Sequence, residues 1–136
     1  MPDARGAYGK PLDTGSPVYA TCLYGEATAL DGAFFVAPRA MRVHKIIARP
    51  LVVGSDGSAV TAEIRKAPSG TASASGTVLH SGTIDLKGTI NTNQTLTLSA
   101  TTAALDLAAG DSLCLDVTGT TTAARGIVTV EMFPLA

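Results

Sequence analysis

A chain of 136 residues that is 46 % hydrophobic and only 15 % charged can bury one core without disulfide or metal staples, which excludes a disordered protein. Its net charge of −1 and pI near 6.0 argue against a nucleic-acid partner, whose backbone calls for a basic face. Two cysteines are too few for a disulfide scaffold. Cys22 and Cys114 are expected as buried thiols, and a bond between them would need the two to face each other on neighbouring strands.

Residues 1–17 hold Gly6, Gly9, Pro11, Gly15 and Pro17 with little periodicity, and read as an extended N-terminal arm or a plain tail. The arm has no apolar run of the kind that opens a secretory signal, and IIARPLVV is interrupted by Arg49 and Pro50. The expectation is therefore a protein made in the cytoplasm, with no membrane partner.

Short strands then alternate with turn signals. VYATCLY (18–24) is the first and AFFV (33–36) the second, stopped by Pro38. MRVHKIIARPLVV (41–53) fits no single alternation, and a bulge or bend near Arg49-Pro50 would reconcile its two halves. GSDGS (54–58) reads as a hairpin loop. AVTAEIRK (59–66) then turns Val60, Ala62 and Ile64 inward and Thr61, Glu63 and Arg65 outward.

Gly-Thr next recurs at a step of six, at Gly70-Thr71, Gly76-Thr77, Gly82-Thr83 and Gly88-Thr89. A hexapeptide β-helix would need many more coils, and a phosphate cradle needs clustered glycines before a helix. Strand geometry suffices, because six is a multiple of the strand period. It predicts Thr77 and Thr83 on one face, Val78, Ile84 and Leu86 on the other, and Gly82 in mid-strand on the buried side.

QTLTLS (94–99) turns in Leu96 and Leu98, while ATTAALDLAAG (100–110) forms either a short helical turn or a loop. DSLCLDV (111–117) turns in Leu113, Leu115 and Val117. GIVTVEMF (126–133) turns in Val128, Val130 and Met132, with Thr129 and Glu131 outside. The fold class expected is all-β. It is a jelly-roll-like antiparallel β-sandwich of about eight strands over residues 18–136, preceded by the arm.

No chemical motif names a function. His44 and His80 lie in no metal-binding or nucleophile pattern, so no cofactor, metal or enzymatic activity is expected. Asp106, Asp111 and Asp116 are too sparse for a calcium loop, and Asp111 suits a turn before a strand. Arg39, Arg42, Lys45 and Arg49 form the local basic excess. They make either a solvated strand face or a docking face for an acidic protein surface. A sugar platform is poorly supplied, with no Trp and only Tyr8, Tyr19 and Tyr24 as amphipathic aromatics. In the arm, Arg5, Tyr8, Lys10 and Leu12 stand between glycines and prolines as candidate anchors on a partner surface or a neighbouring subunit.

The run IRKAPSGTASASGTVLHSGTIDLKGTINTNQTLTLS, followed by LDLAAGDSLCLDVTGT and VTVEMFP, resembles the small β-sandwich head decoration (cement) proteins of tailed phages. The resemblance spans about residues 40–134 and rests on strand rhythm, Gly-Thr turns and the AAGD turn. It implies a virion protein on the capsid exterior that binds the major capsid protein, as a homotrimer and without catalysis. Similar sandwiches occur in phage tail and fibre proteins, so the alternative it leaves is a receptor- or carbohydrate-binding tail module.

Overall fold

The computed structural model describes residues 16–25 and 32–135. Of the arm, only Ser16 and Pro17 fall within them. Among the described residues ten strands form: β1 (Val18–Gly25), β2 (Gly32–Val36), β3 (Met41–Val52), β4 (Thr61–Ala67), β5 (Thr77–Val78), β6 (Ile84–Asp85), β7 (Gln94–Thr95), β8 (Asp106–Leu107), β9 (Ser112–Thr118) and β10 (Arg125–Pro134). About eight were expected. The difference lies in residues 77–107, where Gly, Thr and Asn break the chain into two-residue pieces.

The strands make two antiparallel sheets, β1-β10-β3-β7 with β8 also on β3, and β2-β9-β4-β5 with β6 also on β4. The pairings are nested: β1 with β10, β2 with β9, β3 with β8 and β4 with β6. Strands β1 to β4 alternate between the two sheets, as do β9 and β10. This is a long antiparallel hairpin rolled over on itself, the jelly roll expected.

The core fills the space between the sheets, because each long strand alternates apolar-in with polar-out. Ile46, Ile64, Leu113, Leu115, Val128 and Val130 are fully enclosed, in the register expected for β4, β9 and β10. Val117, Leu96 and Leu98 are half-buried against this core. The irregularity expected near Arg49-Pro50 is a bulge at Leu51, where Arg125 pairs with Val52 and Gly126 with Pro50. A second bulge was not foreseen. Glu131 pairs with Lys45 and Met132 with Val43, so His44 is the extra residue. The bulge at His44 is the one that lets Met41 and Val43 face inward together with Ile46, Ala48 and Pro50.

The Gly-Thr region departs from expectation at Gly82, which is exposed in a left-handed turn (φ 66°) and not buried in mid-strand. The reason is a seam. His80 bridges to Leu98, Ser81 N–H donates to Thr97 O (2.9 Å) and Ser99 N–H to Leu79 O (2.9 Å), joining the second sheet to the chain that follows β7. At this crossing the chain leaves the second sheet, and Gly82 supplies the turn that brings it back. Leu79, Ile84 and Leu86 are enclosed, whereas Val78 is only half-buried; Thr77 and Thr83 are exposed as expected. Residues 100–110 hold both a one-turn helix (Thr102–Leu105) and the strand β8.

His80 is buried in this seam, where its Nε2 accepts the backbone N–H of Ile64 (2.9 Å). An accepting Nε2 fixes the proton on Nδ1, which faces Ser81 O at 3.2 Å. Cys22 faces the core from β1, while Cys114 lies on β9 outside the main core cluster. Both are buried and free, in different sheets, so the condition for a bond between them is not met.

The connections gather at two ends. Asp56, in the β3–β4 loop, accepts from Thr122 N (2.8 Å) and Thr122 Oγ1 (2.9 Å), and its carbonyl accepts from Lys87 Nζ. That ties three loops together. At the opposite end Ala37 N donates to Asp111 O (2.8 Å) and Leu135 N to Ala40 O (2.9 Å). There the Asp111 carboxylate accepts from Ala108 N (2.9 Å), the turn role expected of it.

Candidate interaction surface

The outer face of the β1-β10-β3-β7 sheet collects most of the exposed chemistry. Cross-strand register lays it out in rungs. Leu23, Ile127 and Arg49 form one, and Thr21, Thr129, Ile47 and Thr95 the next. Tyr19, Glu131 and Lys45 form a third, and Phe133 with Arg42 ends the series. Along β1 the outward residues are Tyr19, Thr21 and Leu23, and Tyr19 and Leu23 are 59 % and 64 % exposed. These are large apolar groups on a strand that ends its sheet.

The bulge at His44 turns both His44 and Lys45 outward. His44 Nδ1 donates to Glu131 Oε1 (2.9 Å), and the Phe133 ring packs edge-on against the imidazole at 5.3 Å. The Tyr19 hydroxyl donates to the same carboxylate. Hydrogen bonds from His44 first, then Tyr19, hold the Glu131 carboxyl below the usual range, and Glu131 in turn raises the Tyr19 phenol. Beside this cluster, Arg42 makes a bidentate pair with Asp106 (Nε–Oδ1 2.6 Å, Nη2–Oδ2 3.0 Å). The hydrogen bonds of that pair raise the guanidinium and lower the carboxyl. Arg49 Nε donates to Asn93 Oδ1 (2.7 Å).

The other sheet offers less. On its outer side Arg65 pairs with Glu63 (2.7 Å) and Asp116 (3.0 Å), and Arg65 Nη1 donates to Gly76 O (2.8 Å). Asp116 is half-buried in this network because the chain after β4 folds over it.

Of the residues singled out in the sequence, Arg5, Tyr8, Lys10 and Leu12 lie outside those described. Arg42, Lys45 and Arg49 come together on the outer face of β3, whereas Arg39 is exposed in the turn before it. Tyr19, Leu23 and Phe133 were missed as surface components, whereas Glu131 was expected outside. The available signal was the second apolar set in VYATCLY, at every other position. Among the described residues no three His, Cys, Asp or Glu side chains converge as a metal set, and no helix is long and apolar enough to cross a membrane. The surface carries apolar rungs on an edge strand, flanked by oriented ion pairs.

The sequence matches no family model and no curated protein. Its structure is similar to a chain of the cyanophage Pam1 capsid asymmetric unit, with a TM-score of 0.56 and 14 % identity, over 99 % of this chain and 100 % of that one. At that identity the likeness is one of fold, and it runs the full length of both chains.

Proposed function

We propose that this protein is a non-catalytic virion component that decorates and stabilises the exterior of a phage capsid, as a homotrimer bound to the major capsid protein. The observation that carries the reading is the full-length fold likeness to a capsid-assembly chain. The outer face of the first sheet supports it. Tyr19 and Leu23 supply apolar area that association would remove from water, while Arg42, Lys45 and Arg49 orient the body against an acidic partner. Arg39 flanks that face, and in this reading Arg5, Tyr8, Lys10 and Leu12 of the arm grip the capsid or an adjacent subunit.

The test is co-sedimentation of the purified protein with capsid shells, with unrelated shells as control. Saturable binding at a fixed ratio to the major capsid protein is the expected outcome. Absence of binding to any shell, with binding to a glycan array instead, would transfer the protein to the tail-module reading.

A further inference from the structure

The edge of the first sheet is unpaired among the described residues. Strand β1 hydrogen-bonds to β10 on one side only, and along its other side alternate residues of Val18–Gly25 present backbone N–H and C=O groups to no described strand. A long edge carrying exposed Tyr19 and Leu23 is a template for another strand, and proteins that leave one open ordinarily blunt it with charge, proline or a bulge. None of these occurs within β1: VYATCLYG has no charged residue and no proline, and its register with β10 runs unbroken from Val18 to Gly25.

The chain itself supplies a segment of matching length. Residues 1–15, outside the described part, lead directly into Ser16, Pro17 and β1, so the arm starts from this edge. Prolines at 2 and 11 bound an eight-residue run without proline, DARGAYGK (3–10), the same length as β1. An eight-residue strand covers about 26 Å, and fifteen extended residues reach about 50 Å, enough to cross to a neighbouring body. In an extended run Tyr8 and Lys10 share a face. On the outer side of the sheet that face would set an aromatic ring beside Tyr19 and Leu23, and an ammonium within reach of the ionised Glu131.

We infer that residues 3–10 of one copy add as a strand to the free edge of β1 in the next copy, so that each arm completes the neighbour's sheet. Each contact is head-to-tail, and three such contacts close a ring. The inference rests on the proposed trimer and names what holds it together. It makes the arm an element between subunits, separate from the capsid contact.

The test is amide hydrogen exchange across β1, read by mass spectrometry on the full chain and on chains carrying Gly6→Pro or Ala7→Pro. Successive amides of a strand point to opposite sides, so one of the two prolines removes a donor facing β1 while leaving the sandwich untouched. The expected result is that at least one proline speeds exchange in residues 18–25 tenfold or more, with β9 unchanged, and shifts sedimentation from trimer to monomer. Chains carrying Tyr8→Cys and Leu23→Cys, in a mixture of isotopically light and heavy forms, should cross-link light to heavy. Unchanged exchange in both proline variants overturns the inference, and cross-links confined to single chains overturn the exchange between copies. Shell binding is read separately. Slow β1 exchange in a protein that ignores shells keeps the inference and sinks the decoration reading; fast exchange in a protein that coats shells does the reverse.

Discussion

The ring of Tyr24 on β1 lies across Gly126, its Cα partner on β10, and a Cβ built on Gly126 would come within 2.5 Å of the ring's Cε2. Glycine lets the aromatic lie flat on the neighbouring strand and close that corner of the core, where Tyr24 is buried. Replacing Gly126 by Ala should destabilise the fold by about 1–3 kcal/mol, the usual result of forcing volume into a packed interior. Thermal unfolding checks this, and Tyr24→Leu in the Gly126→Ala background should recover part of the loss. Equal melting temperatures for wild type and Gly126→Ala would mean that the ring is free to move.

Alkaline stability should report the same ring. Burial, and secondarily the charge of Asp85, push the Tyr24 phenol from its ordinary 10.0 up to about 12. The folded state holds this proton more tightly than the unfolded state does. The stabilisation is therefore whole below pH 10 and falls as pH rises from there to about 12. Circular dichroism during an alkaline titration should show Tyr24→Phe unfolding at higher pH than wild type. The phenol hydroxyl has no hydrogen-bond partner among the described residues, so its loss at neutral pH costs little.

His80 should behave as a backbone acceptor that happens to be a side chain. His80→Phe leaves the Ile64 N–H buried without a partner, which typically costs about 1–3 kcal/mol. Exchange at the Ile64 amide should accelerate more than at its neighbours on β4. His80→Gln, which restores an acceptor, should recover part of both effects. If Phe and Gln proved equivalent, the hydrogen bond would not be what the ring contributes.

Sheet register can be tested with two aspartates. Leu115→Asp buries a carboxylate in the fully enclosed core and should prevent folding. Thr129→Asp faces outward between Thr21 and Ile47, and should change stability by less than about 0.5 kcal/mol. Similar midpoints in urea would refute the orientation of β9 and β10.

Leu23→Asp places a charge on the outer face of the edge strand, where the side chain is 64 % exposed. The isolated domain should keep its melting temperature to within a few degrees, since surface changes usually cost under about 0.5 kcal/mol. Shell binding or trimer formation should weaken at least tenfold. Retention of both, measured by co-sedimentation and equilibrium sedimentation, would remove this face from the interface.

The sequence by itself determined the all-β class and the inward sets of β4, β9 and β10. In those strands one alternate set is apolar and the other polar, so burial has a single solution. The first strand had no such asymmetry. In VYATCLY both alternate sets are largely apolar, and only pairing with β10 sent Ala20, Cys22 and Tyr24 inward and left Tyr19 and Leu23 outside. The six-residue Gly-Thr step constrained parity but not which face Gly82 would take. The seam at His80 and Leu98 decided that, because a bridge between sheets depends on where two distant segments meet. The same holds for the surface cluster. His44, Glu131 and Tyr19 lie far apart along the chain, and a single bulged residue in β3 turned the imidazole toward the carboxylate. Local alternation is written in neighbouring residues, whereas bulges, edges and seams follow from long-range pairing, which only the folded chain supplies.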